Sequence, residues 1–162
     1  MALRGFNILR TGRRKVIFMI FIMAPIGLDY KRTEVYDRIK LVNKEIKDLS
    51  WVFLGAKVIS VEHTGDSIPI GTRRLKKLPS PIKVLKTEGT GAVVSLLEKG
   101  RNTFLVIVNR DFKSPMELTI GCDLTVKKIL KDGTSVPARA YINSMKIDPG
   151  DVAIYMWKRT NN

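Results

Sequence analysis

A chain of 162 residues has room for one domain and a short extra element, but not for a catalytic barrel of about 250 residues. Apolar residues make up 44% and charged residues 27%, a balance that belongs to folded rather than disordered chains. The net charge of +14 invites a nucleic-acid reading. Its distribution argues against one: residues 1–28 hold five bases and no acid, 29–50 six against five, and 51–162 eighteen against ten. Only Arg73, Arg74, Lys76 and Lys77 cluster tightly in the body of the chain, between turn signals and without an aromatic platform. That cluster reads as a solvated loop, and no specific nucleic-acid partner is expected.

In chain order, residues 1–28 come first. A basic stretch leads into the apolar run Val16 to Ile26, broken by Pro25. The run is too short to span a bilayer. It leaves open a secretory signal, a buried strand, or sequence not native to the domain.

Residues 29–50 are expected to form one amphipathic helix. Thr33 stands at the N-cap, and Glu34 lies in the first turn, where a carboxylate favours the helix dipole. Val35, Ile39, Val42, Ile46 and Leu49 then recur in steps of four and three, making a single apolar stripe that must dock on something.

From residue 51 to 162 the period changes to two, the signature of strands. Ile59, Val61 and His63 share one face of a first strand. Further strands are expected at Ile82 to Leu85, Ala92 to Leu97, Thr103 to Asn109, Met116 to Cys122, Leu124 to Leu130, Ala140 to Ile147 and Val152 to Trp157. Short turn sequences at 98–102, 131–134 and 148–151 imply antiparallel neighbours, since none can carry a crossover helix. The apolar run Phe104 to Val108 predicts a central strand covered on both faces, while Met116 to Cys122 alternates and predicts one wet face. Lys127-Lys128 interrupts the alternation between Val126 and Ile129, which a β-bulge would explain. The fold class expected is mainly β, an antiparallel sandwich of about eight strands preceded by one helix.

Candidate chemistry is sparse. The one histidine, His63, sits on the apolar face of a strand end and reads as structural. The one cysteine, Cys122, is in phase with Met116, Leu118 and Ile120 and reads as a small core residue. One histidine and one thiol offer no metal-ligand spacing, so neither metal nor cofactor is expected. Glycoside hydrolysis requires two carboxylates flanking a sugar, but Asp148 and Asp151 share one tight turn and read as turn formers. Glu88-Gly89-Thr90-Gly91 lacks the lysine and helix of a phosphate loop. Trp51, Tyr141, Tyr155 and Trp157 are the aromatics that could stack on a sugar, with Tyr155 and Trp157 on one strand face. Core packing is the competing role for that pair. No catalytic residue is assigned.

The order of features does resemble something. The helix carries Thr33-Glu34-Val35-Tyr36 and Val42-Asn43-Lys44-Glu45-Ile46, and the first strand ends in His63-Thr64-Gly65. Phe104 to Arg110 follows, and Asp148-Pro149-Gly150-Asp151 precedes the last strand. From Thr33 onward this is similar to the C-terminal region of multidomain, β-galactosidase-like glycoside hydrolases, where a final helix leaves the catalytic barrel and leads into a small sandwich. The resemblance implies an accessory domain with a barrel as partner, a possible glycan contact, and a secreted or periplasmic location. It transfers no catalytic residue. Residues 1–28 depart from that pattern, offering no piece of a barrel, and a truncated or frame-shifted gene would account for the departure. Such a chain would expose Val35, Ile39, Val42 and Ile46 and tend to self-associate. The other function classes in view are a free-standing glycan-binding module and a basic protein for nucleic acid or a membrane surface.

Overall fold

The computed structural model describes residues 24–138 and 144–159. Most of the basic and apolar N-terminal segment, part of the strand expected from Ala140 to Ile147, and Tyr141 lie outside the described residues. The chain divides into two compact units, residues 1–47 and 48–162.

In the first unit, a tight reversal at 26–32 precedes the helix. Ile26 and Arg32 form a β-bridge, and Tyr30 takes the left-handed conformation with φ of 59°. Helix α1 then runs Glu34–Phe53, with Glu34 and Asp37 in its first turn and its residues from Asp48 onward, Leu49 and Val52 included, belonging to the second unit. Thr33 precedes it, but its hydroxyl donates to the Ala24 carbonyl at 2.6 Å, tying the reversal to the helix start. The Arg32 guanidinium lies over the Tyr36 ring, 4.5 Å from its centre. Leu54 N–H closes the last turn on Ser50 O, and Gly55, with φ of 73°, turns the chain out of the helix.

The second unit is mainly β, with every pairing between its named strands antiparallel and one isolated parallel bridge, His63 to Arg74. Its strands are β1 (Lys57–His63), β2 (Ile82–Thr87), β3 (Ala92–Lys99), β4 (Asn102–Asn109), β5 (Met116–Cys122), β6 (Lys127–Ile129), β7 (Ser135–Pro137), β8 (Met145–Ile147) and β9 (Val152–Lys158). One sheet has the order β1-β3-β4-β9-β6-β7, the other β2-β5-β8. The two-residue turn Gly100-Arg101 joins β3 to β4, and 130–134 joins β6 to β7. The turn at 148–151 differs from expectation: it carries the chain from β8 in one sheet to β9 in the other.

The larger sheet is apolar on both faces, which produces two cores. Between the sheets lie Val94, Leu105, Ile107, Ala153, Tyr155 and Trp157, meeting Ile82, Met116, Leu118 and Ile120. On the outer face Leu97, Phe104, Val106, Ile129 and Ile154 are covered by Leu49 and Val52 from the last turns of α1. Trp51 adds an edge-on contact with Phe104, ring centres 5.7 Å apart. The central strand β4 thus alternates between two cores rather than between core and water. That is the physical meaning of its unbroken apolar run.

The same geometry corrects the expected bulge at Lys127-Lys128. β6 pairs in regular register with both β7 and β9. Val126 and Ile129, three residues apart, point to opposite faces, and each face has its own core. Register breaks occur instead at Val58/Ser60 in β1 and at Ile82/Val84 in β2.

Candidate functional site

The polar groups that converge most closely lie at one end of the sandwich, where the loops 64–74, 88–91, 109–115 and 147–151 meet. Asn109 ends β4 and is fully buried. Its amide nitrogen donates to Ser114 O at 2.9 Å, Asp148 O at 3.1 Å and Ile147 O at 3.2 Å, while its oxygen accepts from Asp111 N–H at 2.9 Å. One side chain therefore supplies a buried strand end with partners it would otherwise lack. Arg110 reaches the opposite way, donating to Ser67 O at 2.6 Å and to Thr90 O. Arg74 likewise donates to Gly65 O and, at 2.9 Å, to Asp66 O. The loops cross in direct backbone contact: Gly65 and Gly91, with φ of 97° and 92°, leave no room for a Cβ against the carbonyls of Thr90 and Thr64.

Asp111 completes the cluster. Its carboxylate accepts from Lys113 N–H at 2.8 Å, Ser114 N–H at 3.1 Å and the Thr90 hydroxyl at 3.0 Å. These bonds, the Lys113 N–H foremost, hold the carboxyl below the usual carboxylate range. A general acid for glycoside hydrolysis needs the opposite shift. A depression of about 430 Å³ lies among Asp66, Ser67, Thr90, Arg110, Asp111 and Ser114. Its two charged groups nearest the loop crossing, Arg110 and Asp111, hold loops in place.

A second hollow, of about 390 Å³, opens on the flank of the sandwich beside β1 and β3. Val94, Leu96 and Leu105 are among its apolar lining residues, Glu62 is the one carboxylate there, and Lys77 is also in the lining. It contains no pair of groups placed for acid–base chemistry.

The residues singled out from the sequence fall mainly into structural roles. His63 is buried at the end of β1. Its backbone bonds to Arg73 O and Leu75 N–H at 2.8 Å each, and its Nδ1 has no hydrogen-bond partner. Burial lowers its pKa below 6.5, and the Arg110 charge adds to the effect. Cys122 is half-buried, and burial pushes its thiol up, away from nucleophilic character. Asp148 and Asp151 are turn formers: Asp151 N–H closes on Asp148 O at 3.0 Å, and the Asp151 carboxylate takes Val152 N–H and the Lys131 ammonium, both at 2.8 Å. Residues 88–91 turn the chain from β2 to β3. Of the basic cluster, Arg74 is engaged with two carbonyls and Lys77 borders the flank hollow. Tyr155 and Trp157 are both in the inter-sheet core and present no ring to a sugar. Trp51 is partly exposed, its ring against Phe104. Among the described residues no group of three or more histidine, cysteine or acidic side chains is placed to hold a metal, and no helix is long and apolar enough to cross a membrane.

The loop-end cluster was not picked out by pattern. Its signal was present in Asn109-Arg110-Asp111, polar residues directly after the buried run of β4.

The helix stripe is the remaining candidate. Leu49 is 7% exposed, but Ile39, Val42 and Ile46 are 43%, 54% and 62% exposed. One end of the stripe is thus built into the outer core, and the rest faces solvent. No protein family matches the chain. No curated protein and no solved structure matches it either.

Proposed function

We propose that the chain is a non-catalytic accessory domain of a glycoside hydrolase, a sandwich that follows a catalytic barrel and engages it through α1. The observation that carries this reading is the division of the helix stripe. Leu49 and Val52 close the outer core, whereas Ile39, Val42 and Ile46 leave an apolar surface of the kind that a further domain covers. The order of elements supports it: a helix leading into a first strand that ends at His63-Thr64-Gly65, a doubly covered central strand, and Asp148 to Asp151 before the last strand. The barrel supplies the acid and the nucleophile, and the sandwich contributes stability and, at most, peripheral glycan contact. A secreted or periplasmic location accompanies this reading.

The test has two arms. The DNA upstream of the Met1 codon, read in all three frames, is expected to encode a catalytic barrel, and the purified chain is expected to leave chromogenic glycosides intact. An upstream region without a barrel, or turnover by the chain alone, would contradict the proposal.

A further inference from the structure

The stretch of α1 ahead of Leu49, exposed at Ile39, Val42 and Ile46 and half-buried at Val35, carries more order than simple apolar exposure requires. Val35, Ile39, Val42 and Ile46 are spaced by four, three and four residues. That is the 3.5-residue repeat of a helix paired with another helix. Ile39 and Ile46 occupy one seam position (a) and Val35 and Val42 the other (d). When two copies are laid antiparallel with Ile39 opposite Val42, each layer pairs one isoleucine with one valine. Val35 meets Ile46, Ile39 meets Val42, and symmetry supplies the remaining two layers.

The flanking charges choose the direction. In an antiparallel pair the residue before each a position meets its own kind on the other helix. Arg38 of each copy therefore faces Glu45 of the other, and symmetry makes two such contacts. A parallel pair would set Arg38 against Asn43 and Glu45 against Ser50, with no charge match. Arg38 lies 3.3 Å from Glu34 within its own helix, but both side chains are exposed, so exchanging that contact costs little. The antiparallel overlap covers residues 34–47 of each copy. It begins at Glu34, where the helix begins, and ends before Leu49, which the outer core already buries.

We propose that α1 is a dimerisation element through which two copies of this chain pair antiparallel, Ile39, Val42 and Ile46 forming the seam and Arg38–Glu45 contacts fixing the register. The inference goes beyond the accessory-domain reading and does not depend on it, since a barrel and a second copy would compete for the same stripe.

Sedimentation velocity across a range of concentrations is the measurement. The chain should pass from monomer to dimer as concentration rises. R38E, at an exposed position, and E45R, at a half-buried one, should each lose the dimer while retaining the far-ultraviolet circular dichroism of the parent. Mixed in equal amounts they should recover it, because one chain then offers only acid and the other only base at the facing positions. A parent that stays monomeric, single variants that dimerise like the parent, or a mixture that fails to recover the dimer would each overturn the proposal. A barrel encoded upstream of a monomeric chain would sink the dimer and leave the accessory reading standing. A dimer with no barrel upstream would do the reverse.

Discussion

Asn109 illustrates how this fold uses its polar residues. Three carbonyls and one backbone N–H depend on its side chain, all where β4 leaves the core. Asn109→Ala would leave buried carbonyls unpaired and should cost about 3 kcal/mol in urea denaturation. His63 yields a pH prediction with a clear source, because it is the only histidine in the chain. Its folded pKa lies below its unfolded value of 6.5, so the unfolded chain binds the proton more readily. Its contribution to stability is complete above that value and is lost as pH falls through it. Stability should therefore decline as pH falls below about 6.5, above the range where most carboxylates titrate, and His63→Asn should flatten that slope. At this scale the sequence was informative about type but not about partner. The strand-end position marked His63 as structural, but nothing local reveals that Arg110, 47 positions later, shares its surroundings.

At the scale of elements, strands announced themselves where a single rule governed both faces. β4 was readable because five apolar residues in a row have one explanation, a strand between two cores. Lys127-Lys128 breaks the alternation expected of a strand that packs on a single core. With the second core on the outer face, Val126 and Ile129 are both buried without an extra residue, and Lys128 lies half-buried with its ammonium 3.3 Å from Met145 Sδ. β7 carries no clear pattern because it is three residues long, ends in Pro137 and, among the described residues, pairs only with the short strand β6. The loop crossing depends on positions no periodicity marks. A Cβ on Gly91 would fall on the Thr64 carbonyl, in a conformation that disfavours side chains. Gly91→Ala should thus destabilise the sandwich by about 2–4 kcal/mol, read as a lowered denaturation midpoint.

For the whole molecule, the question is why so little of a site was legible. Several of the described polar and aromatic groups hold the fold: Asp111, Asp148 and Asp151 at turns, Arg74 and Arg110 on loop carbonyls, Tyr155 and Trp157 in the core. A resemblance carried by the order of elements rather than by a motif names an architecture and no residue. The helix stripe was legible as a pattern, and its exposure in the folded chain is what gives it meaning. The proposal requires a sandwich that is stable by itself and an exposed helix face, at Ile39, Val42 and Ile46, open to association. The measurement that bears on this most directly compares the parent with the combined variant Ile39→Gln, Val42→Gln, Ile46→Gln, by sedimentation velocity and urea denaturation on the same samples. Glutamine keeps helix propensity, so the predicted result is loss of self-association with the sandwich's unfolding midpoint within about 0.5 kcal/mol of the parent. A variant that associates as the parent does, or a sandwich that unfolds with the stripe removed, would contradict the account.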